Sequence, residues 1–382
     1  MKIFLWAMFA GAIVLTVSIY DKVPPNKVPI NIDAERLAGN IKILASDEFE
    51  GRAPGTAGDA KTIAFLQQKF KSLGLQPGNG DSYFQGVKMV EITASPDAVM
   101  TIETAEGRTA LSYGPEFMGW TQRVTDMVSV QDSDMVFVGY GIVAPEYDWN
   151  DYDGVDVHGK TVVIMVNDPG YATQNSALFT GNAMTYYGRW TYKYEEAARQ
   201  GATAAIIIHE TKPAAYPWAV VEGSWSGPQF NLESDDGNMA RVVMEAWVPG
   251  AKIAQVFQAA GLDYQTLTTQ AATKAFKAVS LKAKMSVSLS NKIRRVVSNN
   301  VVSILPGTDR PDEYIIHMSH WDHLGRDSSL EGDQIYNGAA DNASGTAGLI
   351  ELANAYLSGV QKPGRSIMFM AVTAEEQGLL GS

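Results

Sequence analysis

The sequence predicts an α/β fold in which a mostly parallel, mixed sheet is flanked by helices and a smaller β-rich domain is inserted. Three observations lead to this prediction. Short apolar runs alternate with a helical stretch after Asn300, a periodic helix lies before Gly74, and β-branched runs bounded by Gly, Pro or Asp begin near Asp134. Strands that alternate with helices favour parallel pairing, because parallel neighbours require a crossover connection.

The N-terminus predicts an export signal. Lys2 supplies a short positive region, and Ile3 to Ile19 form an almost uninterrupted apolar run. A run of this length also lies at the lower limit for crossing a bilayer, so an uncleaved membrane anchor is the alternative. We therefore expect a signal or anchor at 1–20, a Pro-rich linker at 21–31, and an exported protein that is periplasmic or secreted.

The composition excludes several classes of partner and site. The net charge of −12 among 382 residues argues against nucleic acid and against anionic membrane surfaces, which require clustered Lys and Arg. The chain has no cysteine, so disulfides, thiolate ligands and a cysteine nucleophile are all excluded. Any metal site must consist of histidine and carboxylates.

The segment 32–125 begins with a mixed polar loop and an amphipathic helix. The loop, LASDEFEGRAPGTAGDA, combines charge with Gly and Pro. Residues 59–73 then predict a helix that ends at Gly74, because apolar side chains recur at spacings of three, four and three, at Ile63, Leu66, Phe70 and Leu73.

The segment 126–250 predicts the inserted domain. Its strands are DMVFVGYGIV, KTVVIMVNDPG and ATAAIIIHE, with the helical stretch TYKYEEAARQG between the last two. Tyr and Trp are frequent from Met184 to Trp225. These aromatic residues indicate either ordinary packing or a surface that faces another domain or a substrate.

The segment 251–382 returns to the main sheet. LKAKMSVSLS alternates apolar and polar residues with the period of a half-buried strand. After it come the strands VVSIL and YIIHMSH, a helix from Ser344 to Leu357, and the strand SIMFMAVTAEE. This order predicts a βαβ unit.

Five metal-seeking side chains follow these strands: His320, Asp322, Asp341, Glu375 and Glu376. In open α/β sheets the active site lies beyond the carboxyl ends of the strands. Without a cation, one imidazole and four carboxylates at such an edge would repel each other, so a divalent metal is predicted. His320 and Asp322 lie two apart and project to the same side, which suits a ligand and the residue that orients it.

The remaining carboxylates suggest a pair of metal ions. Asp341 lies in the Gly-flanked loop GAADNASG, where Asn342 and Ser344 can cap the next helix and hold the carboxylate for two ions to share. One residue of the pair Glu375 and Glu376 can bind metal while the other takes a proton from water. Histidine and carboxylates without thiolates suit zinc.

The segments HWDHLG, GAADNASG and TAEEQGLLGS closely resemble the signature of the co-catalytic di-zinc exopeptidases, a family that includes bacterial secreted aminopeptidases, with glutamate carboxypeptidase and the transferrin receptor as relatives. The loop LASDEFEGRAPGT resembles the start of the catalytic domain, and 134–235 resembles the family's protease-associated insert. The resemblance implies a zinc-exopeptidase fold in which 32–125 and 251–382 form the catalytic domain and 126–250 the insert.

By this resemblance, His320 would bind one zinc ion, Asp341 would bridge two, and Glu376 would bind the other. Glu375 would be the general base, and Asp322 would orient His320. The implied reaction is hydrolysis of terminal peptide bonds in peptide substrates, most simply as an aminopeptidase. The other histidines are expected to be structural: His158, His209, His317 and His323.

Family members supply two further ligands, an Asp and a His, after the Glu-Glu pair, whereas this sequence ends six residues after Glu376. The resemblance therefore implies a catalytic domain that is incomplete at its C-terminus. The alternatives to an aminopeptidase are an inactive fragment, a non-catalytic binding protein on the same fold, and a metal-dependent carboxypeptidase. A metal-dependent aminoacyl cyclase is less favoured because of the insert.

Overall fold

The computed structural model describes residues 32–359 and 362–382. The predicted signal or anchor at 1–20 and the linker at 21–31 lie outside the described residues. Within the described ranges, no helix has both the length and the hydropathy needed to span a bilayer.

The described chain contains both helices and strands, and only parts of it alternate between the two. The helices are α1 (Ala34–Leu44), α2 (Ala57–Ser72), α3 (Pro169–Thr173), α4 (Trp190–Arg199), α5 (Thr211–Ala214), α6 (Trp218–Trp225), α7 (Gly250–Ala259), α8 (Tyr264–Ala271) and α9 (Ser344–Ser358). The strands are β1 (Gln76–Pro77), β2 (Phe84–Ala94), β3 (Val99–Thr104), β4 (Gly107–Ser112), β5 (Met118–Trp120), β6 (Met127–Phe137), β7 (Val143–Ala144), β8 (Trp149–Asn150), β9 (Thr161–Met165), β10 (Ala204–His209), β11 (Pro228–Leu232), β12 (Met244–Pro249), β13 (Val279–Leu305), β14 (Arg310–His320), β15 (Gly325–Arg326), β16 (Ile335–Tyr336) and β17 (Arg365–Val372). The predicted class, an α/β fold with a mixed sheet flanked by helices, is confirmed.

The chain forms two compact units. The first comprises the described residues up to Gln85 together with Asn299–Thr373, and the second comprises Gly86–Ser298 and Ala374–Ser382.

In the first unit, a small mixed sheet is covered by helices. β14 pairs in parallel with β17, β17 pairs antiparallel with the last part of β13, and β1 pairs antiparallel with β13. Helix α2 begins after Thr56, whose hydroxyl accepts a hydrogen bond from the N–H of Asp59, and it buries the apolar face that its spacing predicted. The core of this unit includes Leu66, Phe70, Val301, Trp321, Leu349, Ile350, Ile367 and Phe369.

Strand β14 is open on one side. Among the described residues its only pairing partner is β17. Its apolar side chains Ile316 and Met318 are 56% and 55% exposed. An apolar edge of this kind is a template for further strand pairing.

In the second unit, four parallel strands form the centre. β6 pairs with β9, β9 with β10, and β10 with β12, while β5 adds an antiparallel edge. All six side chains of β10 are buried, which accounts for its continuous apolar sequence because both faces of a parallel sheet are covered.

The aromatic residues of this unit pack against each other, with the Trp225 ring 5.2 Å from those of Trp120 and Trp190. These contacts support the packing interpretation of the Tyr- and Trp-rich segment.

The second unit is larger than the predicted insert, 126–250. β3 and β4 form a hairpin, and β3 and β6 both pair with the first part of β13. These pairings hold sequence from both sides of the predicted insert in the same unit, so the boundaries expected at 126 and 250 lie inside it. Long-range strand pairing of this kind has no local signature in the sequence.

Glu245 provides a pH test of the second unit. Its buried carboxylate accepts hydrogen bonds from Trp120 Nε1 at 3.0 Å and from Gln122 Nε2 at 2.9 Å. Burial raises the pKa of Glu245 from 4.5 to about 7. Because the folded-state pKa exceeds the unfolded one, the stability that the protonated carboxyl contributes is complete below pH 4.5 and is lost as the pH rises through 7.

We predict that Glu245→Gln removes a pH-dependent loss of stability of up to about 3 kcal/mol between pH 5 and 8. The measurement is denaturant unfolding of wild type and variant at both pH values. The control is Glu106→Gln, which removes an exposed charge from the turn between β3 and β4. The same pH slope in wild type and Glu245→Gln would contradict this account of Glu245.

Candidate metal centre

His320 lies at the carboxyl end of the parallel pair in the first unit. It is the last residue of β14 and pairs in register with Val372, the last residue of β17. Its Nδ1 lies 3.1 Å from the main-chain oxygen of Asp322 and 3.7 Å from Asp322 Oδ1. A carbonyl oxygen can only accept, so Nδ1 carries the proton and donates it. The orienting contact thus involves the carbonyl of Asp322 more closely than the predicted carboxylate.

The other nitrogen of His320 faces Asp341. Nε2 lies 3.1 Å from Asp341 Oδ1. With Nδ1–H donating to a carbonyl, a neutral imidazole presents its Nε2 lone pair to a carboxylate oxygen. This arrangement is repulsive unless a cation lies between them or Nε2 is itself protonated and donates to Asp341. Two ligand atoms bound to one tetrahedral zinc ion, each at about 2.0–2.1 Å, are about 3.3 Å apart. The observed nitrogen-to-oxygen distance therefore fits two ligands of one ion.

Asn342 caps the helix after the Asp341 loop, as the sequence suggests, whereas Ser344 does not act as the predicted cap and instead bonds back to the loop. Asn342 Oδ1 accepts a hydrogen bond from the N–H of Gly345, in the first turn of α9, at 2.9 Å. Ser344 Oγ donates to the main-chain oxygen of Ala340 at 2.7 Å. The Asp341 side chain itself is 67% exposed, so its carboxylate is accessible to a second ion or to a substrate.

Helix α9 is also attached directly to the end of β14. Thr346 Oγ1 donates to the main-chain oxygen of His320 at 2.7 Å, and Asn342 Nδ2 donates to Ser319 Oγ at 3.2 Å. The strand that presents the imidazole and the loop that presents Asp341 are therefore joined through one short helical turn.

Arg52, for which the sequence predicted no role, joins the loops around the site. Its side chain is fully buried. Nε donates to the main-chain oxygen of Trp321 at 2.8 Å, Nη1 donates to Leu44 at 2.5 Å and Asn337 at 2.7 Å, and Nη2 donates to Gly338 at 2.8 Å. One guanidinium thus connects the segment after His320 to the segment before Asp341.

The adjacent Gly51 is a sign, visible in the sequence, that Arg52 lies in a tightly packed turn. Its φ is +67°, and a Cβ at this position would lie 2.3 Å from the main-chain oxygen of Gly325. Only glycine fits such a close approach at a positive φ. The EGR motif in the loop LASDEFEGRAPGT therefore marks a buried turn, but its partners are distant in sequence.

The other histidines have different surroundings. His317 Nε2 lies 3.1 Å from Tyr356 Oη, and its ring stacks on Phe369 at 5.9 Å. His209 Nε2 lies 3.0 Å from the main-chain oxygen of Tyr216. A ring nitrogen of His323 lies within 4.8 Å of a carboxylate oxygen of Asp341. His323 therefore lies near Asp341, although it was expected to be a structural residue outside the metal site.

Glu375 and Glu376 follow β17 by three and four residues. Their carboxylate oxygens lie within 4.8 Å of each other. The N–H groups of Gly378 and Leu379 donate to the main-chain oxygen of Glu375 at 3.0 and 2.9 Å, which closes a turn directly after the pair. By compactness these two residues belong to the second unit.

The site can be compared with known proteins. Aminopeptidase NAALADL1 of Mus musculus is 36% identical over 104 residues, which are 26% of this chain and 12% of that protein. A probable zinc metalloprotease of Pyrenophora teres f. teres is 41% identical over 83 residues, which are 22% of this chain and 17% of that protein. The chain thus spans less than a fifth of the length of these curated relatives.

Among solved structures, an aminopeptidase from Aneurinibacillus sp. strain AM-1 is 22% identical, with a TM-score of 0.48, over 92% of this chain and 65% of that one. Residues 300–382 match Peptidase family M28. This range contains HWDHLG, GAADNASG and TAEEQGLLGS, and the match confirms the resemblance that these motifs indicated. The chain is thus similar to peptidase family M28 over residues 300–382.

Proposed function

We propose that this chain is an exported zinc-dependent exopeptidase of the aminopeptidase type, which hydrolyses terminal bonds of peptide substrates. The observation that carries this proposal is the geometry of His320, whose Nδ1 is 3.1 Å from a carbonyl and whose Nε2 is 3.1 Å from Asp341. Two curated relatives are named aminopeptidase and probable zinc metalloprotease. Export rests on the apolar N-terminal run in the sequence.

In this proposal Glu376 supplies a further ligand. Glu376 follows Val372 by four residues, and four residues of chain span at most about 14 Å, so this segment remains near the strand end that presents His320. The exposed Asp341 carboxylate has oxygens for two ions. A pair of zinc ions, with Asp341 between them, is the arrangement that the donor set and the family motifs support.

Each residue then has one task. His320, Asp341 and Glu376 hold the metal, which when bound polarises the scissile carbonyl and makes water a better nucleophile at neutral pH. The main-chain oxygen of Asp322 accepts a hydrogen bond from Nδ1–H of His320 and so fixes the tautomer and the ring orientation. Glu375 accepts a proton from the attacking water at a carboxylate oxygen and delivers it to the nitrogen of the departing amine.

We predict that Glu375→Gln lowers hydrolysis of an amino acid 4-nitroanilide by about 10²- to 10⁴-fold, because the proton acceptor is lost. Bound zinc, measured by elemental analysis, is expected to stay at the wild-type level. The control is Glu331→Gln, which removes an exposed charge from the loop between β15 and β16 and should retain full activity.

Two results would overturn these assignments. Substantial hydrolysis by Glu375→Gln with zinc retained would exclude Glu375 as the base. A wild-type chain that binds zinc but cleaves neither free nor N-blocked peptides would favour the non-catalytic alternative, and cleavage of N-blocked peptides from the carboxyl end would favour a carboxypeptidase.

We predict that Arg52→Lys weakens zinc binding by about tenfold or more, because an ammonium group cannot reach the four carbonyls that the guanidinium contacts. Competition with a chromophoric chelator measures the affinity. Arg36→Lys is the matched control, because Arg36 binds Glu351 of α9 and none of the metal-binding loops. Equal zinc affinity in wild type and Arg52→Lys would show that Arg52 does not position the ligands.

A further inference from the structure

The second unit contains a cavity of about 450 Å³. It lies where β9 and β10 end, and it is closed by residues of α3 and α8. Since β6, β9, β10 and β12 are parallel, their carboxyl ends share one edge of the sheet. This is the edge where ligands bind in open α/β sheets, and the volume lies in the range of small-ligand sites.

The cavity lining carries one acidic side chain. Glu210 is the only charged residue in the lining. Its Oε1 accepts a hydrogen bond from Tyr264 Oη at 2.9 Å, while Oε2 accepts none from the residues that the structure describes. Burial, followed by the charge of Glu210, raises the pKa of Tyr264, so its hydroxyl remains a donor and holds the carboxylate in place.

The rest of the lining combines apolar and aromatic residues with uncharged polar ones, four threonines and Gln265. Met165, Ile208 and Pro213 supply aliphatic surface, and Tyr140 and Tyr171 supply rings. Such walls suit an aliphatic stem, and the faces of aromatic rings attract a cation. The cavity thus combines an apolar channel with a carboxylate.

A buried lysine near the cavity does not neutralise Glu210. Lys193 is fully buried and donates to the main-chain oxygen of Tyr140 at 2.6 Å. Burial lowers the pKa of Lys193. Its ammonium group makes no ion pair with Glu210, since the acceptor it contacts is a carbonyl.

We propose that this cavity binds the side chain of a lysine or arginine residue of a peptide, with the aliphatic stem along Met165 and Ile208 and the cationic group on Glu210. The assignment is independent of the metal centre. It gives the second unit a binding function for basic peptide segments.

The test is isothermal titration of the full chain with Nα-acetyl-lysine amide and Nα-acetyl-arginine amide. The neutral control ligand is Nα-acetyl-norleucine amide, which keeps the aliphatic stem. The acetyl group blocks the free amine that an aminopeptidase requires, so failure of the proposed catalytic function would not affect this measurement. We expect saturable binding of the basic ligands, about tenfold or more tighter than the norleucine ligand.

Variants identify the site. Glu210→Gln is expected to abolish the preference for the basic ligands, whereas the charge control Glu106→Gln is expected to retain it. Thr269 is exposed and lines the cavity. Thr269→Trp should therefore block binding of the basic ligands without disturbing the core. If Glu210→Gln fails to fold, Thr269→Trp still tests whether the ligands bind in this cavity. Equal affinity for the lysine and norleucine ligands, no binding of either, or unchanged binding in Thr269→Trp would overturn the proposal.

Discussion

The parallel pairing of β14 with β17 is the constraint on which the metal centre depends. Its register places His320 opposite Val372, so two strands that are separated by a helix end at the same edge. Parallel pairing requires a crossover between the strands, and here the crossover carries both the Asp341 loop and α9. The hydrogen bond from Thr346 to the carbonyl of His320 then fixes the start of that helix on the end of the strand.

Arg52 is the second constraint, because it fixes the positions of the two loops around the site, which the strand pairing does not determine. Trp321 packs into the core of the first unit, but most residues from 323 to 340 are exposed or half-buried, so packing alone does not define the positions of these loops. A buried guanidinium that donates to Trp321, Asn337 and Gly338 defines them by directional hydrogen bonds. Burial of an arginine is costly unless its donors are satisfied, and here main-chain carbonyls satisfy them.

Local patterns were enough to predict much of this structure. Helix α2 was expected at 59–73 and is Ala57–Ser72, and α9 was expected to start at Ser344 and does. His320 and Asp341 were expected to converge because both follow predicted strands of one βαβ unit, and they lie 3.1 Å apart.

Most features that the sequence did not predict depend on contacts between distant segments. Arg52 contacts carbonyls that any residue could supply, so its partners leave no pattern in the sequence. Asp322 lies only two residues from His320, but its closer contact is likewise made by a main-chain oxygen, which every residue carries. The extent of the second unit depends on pairing of β3 and β6 with β13, and alternation alone does not specify the partners of a strand.

The central claim is that His320 and Asp341 are ligands of one metal ion. Anomalous diffraction at the zinc absorption edge, from crystals of the full chain grown with zinc, tests it most directly. The account predicts a zinc peak about 2.0–2.2 Å from both His320 Nε2 and a carboxylate oxygen of Asp341. Fully loaded crystals in which zinc binds elsewhere, with Nε2 of His320 hydrogen-bonded to Asp341, would contradict it.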